Sequence, residues 1–247
     1  MEVSPKVVVN CLIARLPVRE RRALLDSGET VSLEFGQILC QPDTPFRHVH
    51  FPLTGFVSLV AQVLDHPPLE MGLIGNEGVL GATLVLGVSA VPLRGIVQGA
   101  GTALRIEVRQ FRSLLESSPA LRRSLNRYLY VLMAQLSQTA VCTRFHELGP
   151  RLARWLLMSH DRSHSDHFHL THQFLADMLG VRRSGVTTAA GVMQAQGLIS
   201  YTRGEIRVLD RAGLEATSCE CYAEVIADYA KQMGEWPLTP QPPRRGL

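Results

Sequence analysis

Residues 170–210 read LTHQFLADMLGVRRSGVTTAAGVMQAQGLISYTRGEIRVLD, and this pattern leaves few folds open. Thr171 is a suitable N-cap for a short apolar helix, and Gly180 permits a tight turn after it. A second helix is predicted from Arg182 to Gln196. The alternating apolar residues that follow predict a small hairpin. Helix, tight turn, helix and hairpin together form a winged helix-turn-helix arrangement.

The outward face of the predicted second helix suits contact with DNA. Ser184, Thr187 and Thr188 lie away from the apolar face, and such small hydroxylic residues let a helix backbone approach a major groove. The arginines at the helix start match guanine through their planar forks. Arg203 and Arg207 on the hairpin could contact flanking phosphates. The alternative for every one of these arginines is a solvated surface charge. The predicted DNA-binding residues are Thr171, Arg182, Arg183, Ser184, Thr187, Thr188, Arg203 and Arg207.

The region from about Val31 to Val108 has a different pattern. Short alternating runs such as VSLEF, HVHF, GFVSLV, LEMGLI, LRGIVQ and ALRIEV are separated by glycine and proline. Short strands with turn residues between them predict a sandwich or barrel-like β-roll, here a jelly-roll-like one. A short helix is predicted before it, from Pro17 to Ser27. The predicted fold class is therefore α+β, with the roll preceding the helical part.

A long helix is predicted between the two regions, from Pro119 to about His146. Neither glycine nor proline interrupts it after its start, and roughly 26 residues would span about 40 Å. A stripe of this length could be simple core, but a long helix must find apolar partners along its whole length. We therefore predict a dimerisation seam. Its predicted residues are Leu121, Leu125, Tyr128, Leu132 and Leu136.

The bulk composition is compatible with this arrangement. The chain has 247 residues, 46% of them apolar, which is enough for a sizeable core. The net charge of +3 neither requires nor excludes nucleic acid. The apolar stretch from Val79 to Leu93 is shorter than the roughly 18 residues that a membrane span needs. We expect a cytoplasmic protein that is not an enzyme and has no membrane partner.

The five cysteines are scattered, and none forms a Cys-x-x-Cys pair. The sequence therefore gives no support to a zinc ribbon or a clustered iron–sulfur motif, and it fits reduced thiols better than a disulfide framework. Cys219-x-Cys221 could be a chelating or redox pair, but a helix with two small buried residues is the preferred interpretation. We therefore expect no metal and no cofactor.

Residues 159–173 read SHDRSHSDHFHLTHQ and hold five of the nine histidines. A metal site would need three or four of these side chains to converge on one point. Because a helix ends on one side and the helix-turn-helix begins on the other, we predict a short connector instead. Histidines titrate near pH 6.5, so the cluster could make DNA binding tighter at about pH 6 than at about pH 8.

The residues from Leu170 to Asp210 resemble the DNA-binding domain of the Crp/Fnr family of bacterial transcription regulators. The order of the whole chain is similar too: a cyclic-nucleotide-binding-like roll at 1–118, a dimerisation helix at 119–148 and a winged helix-turn-helix at 149–235. Residues 236–247 are predicted to be a disordered tail. The resemblance implies a homodimer on a palindromic operator in double-stranded DNA, which could also contact RNA polymerase. It makes Arg183 the guanine-reading arginine and places Ser184 where many members have a glutamate.

The same resemblance locates a candidate effector pocket at Glu77 and Arg94. In cyclic-AMP-binding relatives a glutamate holds the ribose and an arginine neutralises the phosphate. Arg94 is not followed by the expected Ser/Thr-Ala, so we predict an unknown small-molecule effector other than cyclic AMP, or none. The alternative to the whole hypothesis is a metal-binding or small-molecule-binding module without a role in gene control.

Overall fold

The computed structural model describes residues 10–163, 167–202 and 204–235. Its first part contains two short helices and five strands, in agreement with the predicted α+β class. The helices are α1 (Cys11–Ala14) and α2 (Val18–Asp26), and the strands are β1 (Glu29–Leu33), β2 (Ile38–Cys40), β3 (His48–Ala61), β4 (Leu69–Ile74) and β5 (Arg94–Glu107). A 3₁₀ turn, Ala82–Leu86, lies between β4 and β5.

The five strands form one antiparallel sheet in the order β1-β5-β3-β4, with β2 also paired to β5. Sequence patterning predicted two strands within β3 and two within β5, because Pro52, Gly55 and Gly101 suggested breaks. The structure continues both strands through these points, and the pairing register shifts there instead. Gly55 has a φ of 72°, and a Cβ at this residue would lie 2.2 Å from the carbonyl oxygen of Gly99. Such irregularities bend the long strands and so close the sheet into a roll.

Helix α3 (Val108–Ser117) follows the roll directly, and α4 (Pro119–Phe145) is the predicted long helix. The side chain of Ser118 caps α4 by accepting a hydrogen bond from the backbone of Leu121 at 3.1 Å. The predicted dimer seam needs correction here. Leu121, Leu125 and Tyr128 are at most 2% exposed and pack into the core of the roll, so they are not free to meet a second subunit. Leu132 is only partly buried but packs against that same core.

The remaining elements form a second core. They are α5 (Leu148–Ser163), β6 (His167–His169), α6 (His172–Leu179), α7 (Arg183–Ala195), β7 (Ile199–Thr202), β8 (Glu205–Val208), α8 (Arg211–Thr217) and α9 (Cys221–Met233). Phe56 and Leu73 of the roll also belong to this core. In return, Tyr229 and Met233 at the end of α9 pack into the core of the roll. Helix α9 therefore contributes to both cores, across the predicted domain boundary near residue 149.

The histidine-rich stretch is more structured than the predicted connector. Helix α5 continues to Ser163, and β6 then pairs with β8 as a third strand of the wing sheet, in the order β6-β8-β7. Residues 164–166 and the predicted tail at 236–247 lie outside the described residues. Among the helices that the structure describes, none is both long enough and apolar enough to cross a bilayer.

Candidate nucleic-acid interface

The first helix of the motif and its turn form as the sequence predicts. Thr171 precedes α6 in an extended conformation, and its hydroxyl oxygen accepts a hydrogen bond from the backbone N–H of Phe174 at 3.1 Å. Gly180 ends the helix with a φ of 64°, a left-handed conformation that favours glycine. The backbone N–H of Val181 then donates to the carbonyl of Ala176 at 2.9 Å. This closed turn sets the direction in which α7 leaves.

The second helix, α7, has a buried face and an open one. Val186, Ala190 and Met193 are at most 3% exposed and pack in the second core, as predicted. Arg182 occupies the N-cap position and Arg183 begins the helix. The exposed residues include all five that were predicted on α7 and its N-cap: Arg182, Arg183, Ser184, Thr187 and Thr188. The structure thus brings two guanidinium groups and a small, hydroxylic surface together at one helix end.

One flank of α7 is held by side-chain contacts that the sequence pattern did not predict. The ring of His172 stacks on that of Tyr201, with the centroids 4.1 Å apart, and its Nδ1 lies 2.9 Å from the hydroxyl of Thr187. The side chain of Gln194 accepts a hydrogen bond from the backbone of Tyr201 at 2.8 Å. The hydroxyl of Thr187 is therefore already engaged within the protein. No local sequence signal identifies these contacts, because they join α6, α7 and β7.

The wing places one of the two predicted arginines on its surface. Arg207 is exposed on β8, opposite Ser200 of β7. Arg203 lies outside the described residues. Beside the turn, His169 Nδ1 lies 3.1 Å from a carboxylate oxygen of Glu205, so an acidic group is also present at this edge.

The described histidines of the connector do not converge on one point. His160 contacts the guanidinium of Arg211 at 2.8 Å, whereas His169 and His172 have the separate partners given above. Burial, followed by the charge of Arg183, lowers the pKa of His172. His172 is therefore harder to protonate than an ordinary histidine, and it contributes little to the expected tightening of DNA binding in acid.

The roll contacts the helix-turn-helix directly. Nε2 of Gln98 on β5 lies 3.0 Å from the sulfur of Met178 on α6, and a Cβ on Gly180 would lie 2.9 Å from Leu69. At the same junction, Glu70 accepts hydrogen bonds from Ser58 at 2.6 Å and from the indole of Trp155 at 2.8 Å. Burial raises the pKa of Glu70 to about 7. The helix-turn-helix therefore packs directly against the sheet of the roll, which the resemblance predicts to be the sensor domain.

The predicted effector residues are not brought together as a ligand site. Glu77 is buried, and its carboxylate accepts hydrogen bonds from Arg162 of α5 at 2.8 Å and from the backbone of Gly75 at 3.1 Å. Arg94 begins β5 opposite Val60. Within the described residues, no hydrogen bond or ion pair joins Arg94 to Glu77. The glutamate that would hold a ribose in cyclic-AMP-binding relatives is thus committed to an internal ion pair.

Comparisons with known proteins agree with this geometry. Residues 150–217 match the family model of the Crp-like helix-turn-helix domain, which spans α5 to α8. No curated protein sequence matches the chain significantly. Among solved structures, a Crp/Fnr-family regulator from Eubacterium rectale superposes with a TM-score of 0.64 at 15% identity, covering 83% of this chain and 96% of that one.

Two further structures extend the comparison. A CRP/FNR-family regulator from Thermus thermophilus has a TM-score of 0.62 and 22% identity over 77% of this chain and 98% of its own. The c-di-GMP-responsive regulator CLP from Xanthomonas campestris has a TM-score of 0.63 and 15% identity over 78% and 99%. These similarities confirm the fold and the resemblance predicted from the sequence. Residues 150–217 are a Crp-like helix-turn-helix DNA-binding domain, carried by a chain with the fold of the Crp/Fnr transcription regulators.

Proposed function

We propose that this protein is a homodimeric, sequence-specific DNA-binding transcription regulator that inserts α7 into the major groove. One observation carries the proposal. The start of α7 exposes Arg182 and Arg183 beside small residues, while the opposite face is anchored in a core by Val186 and Met193. A rigid helix with this outer face can bring a guanidinium fork to a guanine edge. Base contacts would come from the helix start, and Arg207 of the wing would contact phosphate.

Selection of bound sequences from a random DNA pool tests the proposal directly. We expect a palindromic motif whose two half-sites are about one helical turn apart. Replacement of Arg183 by alanine should then cost about 1–3 kcal/mol, roughly 5- to 150-fold in affinity, and relax the specificity at one base pair. Arg112 is an exposed arginine on α3, so Arg112→Ala is the matched control and should leave binding unchanged. If no sequence is enriched at low salt, the proposal fails.

The dimer would form along the open side of α4. Tyr130, Met133 and Val141 are 45–58% exposed and, at about 100° per residue, lie on one stripe. Leu136 is half-buried at its border. A stripe of apolar residues on a 27-residue helix supports pairing with the same helix of a second copy. Light scattering should show a dimer for the wild type and a monomer for Met133→Arg, with Arg112→Ala on α3 as a control away from this stripe. A Met133→Arg protein that stays dimeric would move the interface elsewhere.

The effector is proposed to be a small molecule other than cyclic AMP, or to be absent, because Glu77 is held by Arg162. Titration calorimetry with cyclic AMP should show no binding at millimolar concentration. A regulator of this kind acts in the cytoplasm, where its operator lies, and could contact RNA polymerase there.

A further inference from the structure

Four potential metal ligands meet at the junction between the long helix and the DNA-binding domain. Cys142 lies in the last turn of α4, and His146 follows the end of that helix. Cys219 precedes α9, and Cys221 is its first residue. The three thiol sulfurs and one imidazole nitrogen all lie within 4.8 Å of one another. Segments more than 70 residues apart in the chain therefore converge on one point.

We propose that Cys142, His146, Cys219 and Cys221 bind one Zn²⁺ in a closed tetrahedral site. In such a site, metal–sulfur bonds of about 2.3 Å separate the ligand sulfurs by about 3.8 Å. The sulfurs of Cys142 and Cys219 are 3.6 Å apart, and the sulfur of Cys221 lies 3.4 Å from Nδ1 of His146. Three cysteines and one histidine are a ligand set that structural zinc sites use.

The surrounding groups support this assignment. Nε2 of His146 lies 3.1 Å from a carboxylate oxygen of Glu220, so Nδ1 is left to face the sulfurs. A carboxylate behind a ligating histidine is a usual partner in zinc sites, where it orients the ring. Gln138 donates its amide N–H to the sulfur of Cys221 at 3.0 Å. Three thiolates around a dication would leave one negative charge, and the positive charge of the buried Arg154 acts on Cys142.

Neither a disulfide nor an iron–sulfur cluster accounts for the whole arrangement. A disulfide between Cys142 and Cys219 would need sulfurs about 2.05 Å apart and would leave Cys221 and His146 without a role. An iron–sulfur cluster would spread its four ligands over two or more irons, so the four ligand atoms would not all lie within 4.8 Å of one another. The tendency of cysteine to be buried does not by itself explain why these three cysteines meet. Cys11 and Cys40 are also buried, but they lie in other parts of the molecule.

The sequence pattern favoured two small buried residues at Cys219 and Cys221, and no metal was expected. Both residues are buried, but only Cys221 is in the helix, and Cys142 and His146 join them. The site would connect the end of α4 to the start of α9. It would lie next to the short link between α4 and α5, the first helix of the DNA-binding domain. Zinc would thereby stabilise the bend between the dimer helix and the domain that reads DNA. Metal binding is measured without DNA, so failure here and failure of the proposed function are distinguishable.

Metal analysis of the full-length protein tests the proposal. Protein purified under reducing conditions from zinc-supplemented cells should retain about one zinc per chain after gel filtration. Metal-free protein titrated with Co²⁺ should develop thiolate charge-transfer absorption and the intense visible bands of a tetrahedral site. Cys221→Ser should lose the zinc. Cys40→Ser is the matched control, because it alters another buried cysteine, and it should retain the zinc.

Glu220→Gln leaves all four proposed ligands in place. It should not affect folding, because the side chain of Glu220 is mostly exposed. It should keep the site but weaken zinc binding about 10- to 100-fold. The proposal is overturned if zinc stays far below one per chain, if Co²⁺ gives no thiolate charge-transfer band, or if Cys40→Ser loses as much zinc as Cys221→Ser. Iron in place of zinc, or a Cys142–Cys219 disulfide in freshly purified protein, would also overturn it.

Discussion

The buried ion pair between Glu77 and Arg162 allows a quantitative test of how the roll is joined to the DNA-binding part. Nε of Arg162 on α5 lies 2.8 Å from the carboxylate of Glu77 in the roll, and both side chains are at most 3% exposed. Nη1 of Arg162 also donates to the carbonyl of Met158 at 2.8 Å. A Cβ on Gly75 would lie 2.6 Å from Arg162, so the pair also depends on a small residue beside it.

Removing either partner should be strongly destabilising. Arg162→Met removes the guanidinium that neutralises the buried carboxylate of Glu77, and Glu77→Leu removes the carboxylate that faces the buried guanidinium of Arg162. Each change should lower the free energy of unfolding by about 3–5 kcal/mol. The double variant Glu77→Leu/Arg162→Met leaves no uncompensated charge, so it should be no less stable than the worse single variant. The two substitutions should therefore be non-additive by at least about 3 kcal/mol.

Urea unfolding followed by far-ultraviolet circular dichroism measures these differences, provided that the slopes of the transitions agree. The exposed pair of Arg105 and Glu29 is the matched control. Its shortest N–O distance is 2.6 Å, but the side chains are 35% and 66% exposed, so Arg105→Met should cost less than about 1 kcal/mol. The reasoning is refuted if Arg162→Met costs no more than Arg105→Met, or if the two substitutions at the buried pair are additive. Either result would mean that the buried pair contributes no more to stability than an exposed one.

Three other substitutions test separate parts of the structure. Glu70 has a pKa raised to about 7, so its contribution to stability is present below about pH 4.5 and is lost as the pH rises through about 7. Glu70→Gln should therefore gain stability relative to the wild type by about 3 kcal/mol between pH 4 and pH 8, and parallel unfolding curves across that range would contradict this. Gly180→Ala should cost about 1–2 kcal/mol, measured by urea unfolding, because of its left-handed backbone. Met193→Ala should cost about 2–5 kcal/mol and weaken DNA binding, whereas Gln196→Ala on the exposed side should change neither.

The helix-turn-helix could be predicted closely because its signals are local. The second helix was expected from Arg182 to Gln196, and α7 runs from Arg183 to Ala195 with those two residues as its caps. An N-cap threonine and a glycine at the turn act within a few residues of themselves, so a sequence pattern contains them. The third wing strand, β6, was missed for the opposite reason. Its pairing partner β8 lies about 40 residues away, and three residues have no distinctive pattern.

The candidate effector residues and the proposed zinc ligands were harder to predict because their environments depend on distant segments. Glu77 was recognisable by position, yet only the packing of α5 shows that Arg162 neutralises it across 85 residues of chain. Cys142 and Cys219 of the cysteine and histidine cluster are 77 residues apart in the chain, so no short spacing motif predicts the cluster. Periodicity and capping signals act within a single helix or strand, whereas a binding site is formed by contacts between several elements.

The long helix α4 shows why a correct pattern can still be assigned to the wrong partner. Its stripe through Leu121, Leu125 and Tyr128 does mark an apolar face, and periodicity cannot tell whether a second copy or the same chain covers it. The roll covers it, because only the short helix α3 separates α4 from the roll and the first half of α4 packs into the core of the roll. The side that we propose for a second subunit is the other one, where Tyr130 and Met133 stay exposed. A helix that anchors the sensor on one side and pairs on the other would couple the two by its own rigidity.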